Sequence, residues 1–442
     1  MQIRPILFIL LLTAGFSVPG WSQMKKLTLQ EALSLAEENN LTNKSAEAQQ
    51  LATRGAYRQT NSLFLPGVNV SQTSISTNDP LSVFGFRLKQ EQVKQEDFAP
   101  SSLNDPDNFE NYNMKIEFRQ PLLNMDGIYT RKAMKNQYEA SSFQTVVTRQ
   151  HIRYEVKKAY YRLELASAAV VVLQQSKKVA EEALRMTQQN ELQGLAMHSD
   201  VLEASVRLEE RDNQLLKAND QMQTANEYLA HLLGLDLSVT IELSDSLFSS
   251  PSEINLPGTD ASLENRSDMK AYQKQIEAGK NRLRSEKMKF MPNINAFGSY
   301  EWNDRQLLGT SASNYLVGAT LTWKLFGGYK NIGGIQHAGA QLNKARIDYK
   351  NYLSQSQIQL NNARRSMKLS YKQVQSSKLA REEAIESLRI RTNRFKEGLE
   401  RTTDLLASEA LASQKKLAYI QSIYNYRESV FKLELLLERD IK

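Results

Sequence analysis

The sequence predicts a mostly α protein with some β, built as two structural repeats, each a β-strand pair plus long coiled-coil helices. Three observations point there. The stretch Gly194-Leu195-Ala196-Met197-His198-Ser199-Asp200-Val201-Leu202 returns as Gly398-Leu399-Glu400-Arg401-Thr402-Thr403-Asp404-Leu405-Leu406, its glycines and aspartates both offset by 204 positions. A helical pattern of about 65–70 residues enters each copy, roughly 100 Å of helix at 1.5 Å per residue. Two pairs of segments alternate apolar and polar residues with the period of two that belongs to strands.

The chain opens with Met1-Gln2-Ile3-Arg4, an apolar run from Ile6 to Phe16, and Gly20-Trp21-Ser22 before Gln23. Residues 1–22 therefore read as a signal peptide; an uncleaved anchor is the other reading of so short a run. No later stretch approaches the roughly 18 apolar residues of a spanning helix, which leaves secreted, periplasmic or outer-membrane locations.

The first repeat occupies 23–234. Thr28 and Glu31 have capping-box spacing at the head of a helix over 28–62, which stops before Phe64-Leu65-Pro66. Strands follow at about 66–78 and 111–123; in the second, Tyr112, Met114, Ile116 and Phe118 alternate with Asn113, Lys115, Glu117 and Arg119. Between them, residues 79–110, with Asp79-Pro80, Ala99-Pro100 and Asp105-Pro106, read as a long exposed loop. A turn at Gln120-Pro121-Leu122 leads to long helices at 127–193 and 199–234. Residues 235–261, with Pro251, Pro257 and Gly258, form a linker or equatorial segment. The second repeat, 262–442, has a helix over 262–290 ending at Met291-Pro292, strands at about 292–303 and 314–326, a turn at Gly327-Gly328, and long helices at 329–397 and 403–440.

Gly194 and Gly398 offer left-handed stops for the incoming helices, and Ser199 or Thr403 an N-cap for the outgoing ones. Each copy thus reads as the tip of a helical hairpin. Ile152, Val156, Ala159, Leu163, Ala166, Val170 and Leu173 step by four and three, a heptad seam. The spacing continues from Ala204 to Leu232 with Arg211 the one misfit, and from Tyr419 to Leu437.

Strands of about ten residues with one apolar face and aromatic ends suit an outer-membrane barrel. Four per chain cannot close one, and open edges are not tolerated in lipid. Two copies would give eight strands with a filled interior; three would give twelve and a lumen, which favours a trimer.

Chemical machinery is not foreseen. Histidines 151, 198, 231 and 337 lack metal-pair spacing, Gly327-Gly328 and Gly333-Gly334 precede no Gly-Lys-Ser/Thr, and the chain has no cysteine. No enzyme activity, metal or cofactor is expected. The net charge of +7 comes from 56 basic and 49 acidic residues mixed along the helices, a solvated surface and not a nucleic-acid footprint.

Together, the opening Leu27-Thr28-Leu29-Gln30-Glu31-Ala32-Leu33, the Phe64-Leu65-Pro66 and Phe290-Met291-Pro292 junctions, Gln120-Pro121-Leu122, the segment Gly318 to Gly328 and the paired tips resemble the TolC-like outer membrane efflux protein family over the whole mature chain. The resemblance implies a trimer with a 12-stranded outer-membrane β-barrel continued by a periplasmic α-helical barrel. It implies a passive channel of a tripartite efflux or type I secretion system, set in the outer membrane lipid of a Gram-negative bacterium. Its partners would be a periplasmic adaptor (membrane fusion) protein and an inner-membrane transporter of RND, ABC or MFS type. Substrate choice, among drugs, metal ions or polypeptides, would belong to that transporter.

The resemblance also places the periplasmic gate at the tips, with Asp200, Glu203, Glu400, Arg401 and Asp404 as candidates. Asp404 matches an aperture aspartate; Ala407 stands where some members carry a second. Asp200 matches a residue whose basic partner lies two positions after the second glycine, where this chain has Glu400. Arg401 is the expected substitute partner, two unlinked solvated charges the alternative. A pore-less periplasmic coiled-coil adaptor or scaffold would need only one hairpin and no aromatic-edged strands.

Overall fold

The computed structural model describes residues 24–245 and 263–439. The expected signal peptide (1–22) and the expected linker residues Pro251, Pro257 and Gly258 lie outside the described residues. In chain order the first repeat forms β1 (Met24–Leu27), α1 (Leu29–Asn39), α2 (Leu41–Gln59), β2 (Gly67–Thr77), α3 (Pro80–Lys89), α4 (Pro100–Asn104), β3 (Phe109–Leu123), α5 (Met125–Leu192), α6 (His198–Leu233) and β4 (Thr240–Leu243). The second forms α7 (Ser267–Met288), β5 (Asn293–Asp304), β6 (Ala312–Thr322), α8 (Lys330–Lys396) and α9 (Thr402–Leu437). The chain is mostly helical with some strands.

Contacts group the chain into two units that cut across the repeats. One draws on the stretch up to Leu41, on Gln150–Pro257 and on Asn362–Lys442; the other on Thr42–Arg149 and Gly258–Asn361. Each unit takes segments from both repeats, because α6 of one packs against α9 of the other in the first unit and β3 of one pairs with β5 of the other in the second, so the repeat is a unit of sequence and not of packing.

In the first unit the heptad seam becomes the core. Val156, Tyr160, Leu163, Leu229 and Leu233 pack with Leu33, Ala36 and Ile241, each large side chain contributing about 1.5–3 kcal/mol by leaving water. β1 and β4, not foreseen in the sequence, pair in parallel from Met24↔Thr240 to Leu27↔Leu243. The Tyr160 hydroxyl donates to the Leu27 carbonyl at 3.0 Å and accepts from the Asp245 amide at 3.3 Å. Burial pushes that phenol up to about 12, so it remains a neutral donor.

The capping box forms: the Glu31 amide donates to Thr28 Oγ1 at 3.3 Å, and Glu31 Oε2 accepts from the Thr28 amide at 2.8 Å. Those bonds from Thr28 hold the Glu31 carboxyl below its ordinary range. A lowered carboxylate pKa contributes above its unfolded value and is lost as pH falls through the folded one. Amide exchange at Thr28 should therefore accelerate only on acidification below the usual glutamate range. Thr28→Ala should cost about 1 kcal/mol of stability at neutral pH, measured by thermal unfolding of the helical signal; no loss would show the cap idle.

The helix expected over 28–62 is two helices and a 3-10 turn at Thr60–Leu63. Asn40 breaks it with extended backbone (ψ 125°), and its side-chain amide donates to the Leu232 carbonyl at 2.9 Å. A tertiary contact enforces the break, and neither glycine nor proline announces it. Likewise the helix foreseen over 262–290 is a 3-10 turn at Leu263–Asn265 followed by α7. There Arg266 takes the cap position with extended backbone and pairs with the buried carboxylate of Asp268.

In the second unit β2, β3, β5 and β6 form an antiparallel sheet in that order. Cross-strand register gives it two unlike faces. Val68↔Phe118, Val70↔Ile116↔Tyr300↔Tyr315 and Met114↔Trp302 share one face; Asn69↔Glu117↔Ser299, Ser71↔Lys115↔Glu301 and Thr73↔Asn113↔Asn303 share the other. Val68, Val70, Tyr315, Val317 and Leu321 are exposed large hydrophobics. The last strand ends at Thr322, four residues short of expectation. Its partner β5 begins only after Pro292, so Trp323 to Phe326 have no strand to pair with.

The predicted exposed loop 79–110 is instead a small folded insert. Asp79 accepts from the Ser82 amide at 2.8 Å with Pro80 in the first helical turn, and Pro100 opens α4; two of the three prolines read as loop markers are helix starts, and only Pro106 lies in irregular backbone. The insert reaches the polar face of the sheet: Lys89 pairs with Glu301 at 3.1 Å and Gln90 donates to Asn111 Oδ1 at 2.8 Å.

Candidate functional site

Two places carry the candidate residues, the hairpin tips and the strand–helix junctions. The tips match bond for bond at their entry. Gly194 and Gly398 both sit at φ +72°, a conformation open to glycine at no steric cost. The Leu195 amide reaches the Asn190 carbonyl at 2.8 Å, and the Leu399 amide reaches that of Arg394 at 2.9 Å. These are Schellman closures, which satisfy the last carbonyls of α5 and α8.

The exits differ from expectation. Helices α6 and α9 begin one residue earlier than read, capped by the backbones of Met197 and Arg401 and not by Ser199 or Thr403. Asp200 thus falls in the third helical position, where its Oδ2 accepts from the Met197 amide at 3.0 Å. Asp404 holds the same place in α9, but among the described residues it has no hydrogen bond or ion pair and is exposed. Glu203 is exposed and lies 3.9 Å from Arg207.

Glu400 is bound within its own hairpin. Its carboxylate meets Arg391 Nη1 at 2.6 Å and Arg394 Nε at 2.9 Å, while Arg394 Nη2 also donates to the Leu399 carbonyl at 3.3 Å. Arg401 is exposed, and no Asp200–Arg401 pair exists within the chain among the described residues. Sequence reasoning missed the two arginines; their spacing of three, one helical turn apart and just upstream of the glutamate, was the available signal.

The two tips pack on each other. Phe395, Leu405 and Leu406 share a buried cluster with Ala180, Ala183 and Ala204, and the Thr187 and Thr402 hydroxyls are 2.9 Å apart. Deeper, the seam misfit Arg211 meets Glu409 at 3.5 Å, and Glu409 also accepts from the Ser413 hydroxyl at 2.6 Å.

At the junctions, each repeat ties the end of its second strand to the helix end before its first. Gln120 Nε2 donates to the Phe64 carbonyl at 2.7 Å, and Trp323 Nε1 to the Phe290 carbonyl at 3.0 Å. Pro66 and Pro292 follow those carbonyls closely in sequence and release the chain into β2 and β5. Pro121 lies within β3 beside a register shift, where a residue without an N–H is accommodated. Gly327 and Gly328 turn the chain into α8, Gly328 at φ +61°.

A two-faced sheet with exposed apolar residues, joined to duplicated long helical hairpins, defines the class of outer-membrane channel proteins with a periplasmic helical extension. The chain belongs to the outer membrane efflux protein family, whose model matches residues 32–235 and 259–438. Solved structures with the same fold include the CmeC outer membrane channel of Campylobacter jejuni (TM-score 0.80, 17% identity, 92% of this chain and 85% of that one). The outer membrane protein VceC of Vibrio cholerae is also similar (0.74, 17%, 94% and 97%), as is the open state of the MtrE outer membrane channel of Neisseria gonorrhoeae (0.76, 17%, 94% and 89%). A search of curated proteins finds no match. The family and these neighbours are channel proteins and not enzymes.

Proposed function

We propose that three copies of this chain form an outer-membrane duct, a 12-stranded β-barrel continued by a helical barrel, which passively conducts substrates delivered by an adaptor and an inner-membrane transporter. The observation that carries the reading is the sheet: four strands, one apolar face, one polar face, and β2 and β6 each left with a single neighbour. Other copies satisfy those edges, the apolar face meets lipid, and the polar face lines the lumen. The family supports the adaptor and the transporter as partners.

The tips then form the gate. Asp404, unengaged among the described residues, lines the aperture; Glu203 and Asp200 add negative charge nearby. Arg401 is free to reach Asp200 of a neighbouring copy, while Glu400 braces its own hairpin. Fractionation, unheated gel electrophoresis and planar-bilayer recording test the duct together. Outer-membrane trimers with a narrow conductance are expected; soluble monomers that do not conduct would instead fit a periplasmic coiled-coil scaffold. Asp404→Asn should lower the cation-to-anion permeability ratio several-fold by removing the focused negative potential. An unchanged ratio removes Asp404 from the aperture.

A further inference from the structure

Between the last turns of α2 and the first turns of α5 lies an open, mostly apolar groove of about 550 Å³, walled by Phe64, Leu65 and Ile128 and rimmed by Arg131, Lys132 and Lys135. It occupies the helix end of the sheet: Leu65 stands two residues before β2 and Ile128 three residues into α5. On the outer-membrane reading, on which the assignment of this groove rests, this is the boundary between hydrocarbon and the periplasmic phosphate layer. Leu65 is 58% exposed, an uncovered apolar wall beside a strand that enters lipid.

The rim carries positive charge with little to neutralise it. From Leu51 to Pro66 and from Gly127 to Tyr138 there is no acidic residue. Arg131 is held by neutral partners: Nη1 donates to Asn61 Oδ1 and, at 3.4 Å, to Thr60 Oγ1, and the guanidinium lies 4.8 Å from the Tyr57 ring centroid. Lys132 Nζ sits 5.2 Å from the Tyr129 ring. Among the described residues neither Arg131 nor Lys132 has a carboxylate in ion-pair reach. Lys135, itself 60% exposed, has only the half-buried Glu139 at 3.8 Å, a contact of little strength, and that carboxylate is already held by Lys274 at 2.5 Å. The second repeat differs at its junction: Glu286 pairs with Lys289 at 2.6 Å and lies against Gly334, so a cation there is already neutralised.

Pre-positioned cations above an apolar wall match an amphiphile that carries a phosphate. A free phosphate would gain from the rim alone, and a neutral lipid from the wall alone. We propose that this groove binds an anionic diacyl phospholipid, its phosphate between Arg131 and Lys132 and an acyl chain along Phe64, Leu65 and Ile128. The stacked aromatics fix the cations at the height of the headgroup layer, as interfacial aromatic residues do at membrane boundaries. Among the described residues the site occurs once, at the first-repeat junction.

The test is native mass spectrometry of the full chain in detergent, titrated with phosphatidylglycerol, phosphatidylcholine and inorganic phosphate. Wild type should bind phosphatidylglycerol about ten-fold or more tighter than phosphatidylcholine, and millimolar inorganic phosphate should not displace it. Lys132→Gln/Lys135→Gln should abolish most of that preference. Because these two side chains brace no neighbouring backbone, the variant also keeps the experiment decisive if Arg131→Gln, which frees Asn61 and Thr60, fails to fold. Equal phosphatidylglycerol binding by wild type and variant, or displacement by phosphate alone, overturns the lipid site. Bilayer recording on the same preparations separates the two readings: a wild type that retains the lipid but does not conduct sinks the duct and leaves this site standing.

Discussion

Glu409→Ala lowers the stability of the helical region by about 3–5 kcal/mol, the range for removing one member of a buried ion pair. Arg211 interrupts the seam of α6, and its side chain is only 11% exposed; Glu409 is 3% exposed. The pair is therefore screened little by water. Glu409 accepts from Ser413 as well, and Arg211 Nη1 donates to Gln214 at 2.8 Å, so the charges are embedded in further hydrogen bonds. Without the carboxylate the guanidinium remains buried with no counter-charge. The double variant Arg211→Met/Glu409→Leu should recover most of the loss, since apolar residues of similar volume avoid the desolvation cost altogether. Thermal unfolding followed by the helical signal reads both. A single variant that loses less than about 1 kcal/mol would contradict the burial argument.

Glu400→Ala should loosen the second tip without unfolding the protein, and raise the conductance of the closed state several-fold. Glu400 is 11% exposed, but its partners Arg391 and Arg394 are 41% and 56% exposed. Each pair is thus worth no more than about 1 kcal/mol globally, and the effect is local. Two arginines that converge on one carboxylate hold the α8 end against the residue after the Schellman turn. Releasing them should raise amide exchange at Gly398 and Leu399, whose amides close the turn, by about ten-fold, the equivalent of about 1.4 kcal/mol of local opening free energy. Glu400→Gln keeps the size and loses the charge, so it should fall between wild type and alanine. Unchanged exchange and conductance in the alanine variant would mean that the clamp plays no part in the gate.

Much of this was legible because the fold is written in periods. The seam Ile152 to Leu173 is a heptad, the strands alternate, and helix starts and stops carry their own chemistry at Thr28, Gly194 and Gly398. The rest depends on contacts between distant segments. Asn40 breaks a helix because its amide finds Leu232, 192 residues away. Pro80 and Pro100 begin helices in an insert that finds partners on the sheet. β1 and β4 are four residues each, too short to show a period. At the hairpin tips, the sequence exposed the departure at Glu400 but not its consequence. The residue reads as a lost partner for Asp200, and the structure makes it the centre of a clamp within its own hairpin.

The edges of the sheet bear on how the protein is made. β2 and β6 are each eleven residues long, and each has a row of backbone amides and carbonyls with no strand beside it among the described residues. Desolvating those rows in a lone copy costs several kcal/mol for every unmatched group. Under closure by neighbouring copies, insertion into the bilayer and association become one event. The hairpins, whose hydrogen bonds are internal, can form beforehand in water. Biogenesis then has a fixed order, with helices first and the barrel last, and a rate that rises steeply with the concentration of chains waiting at the membrane.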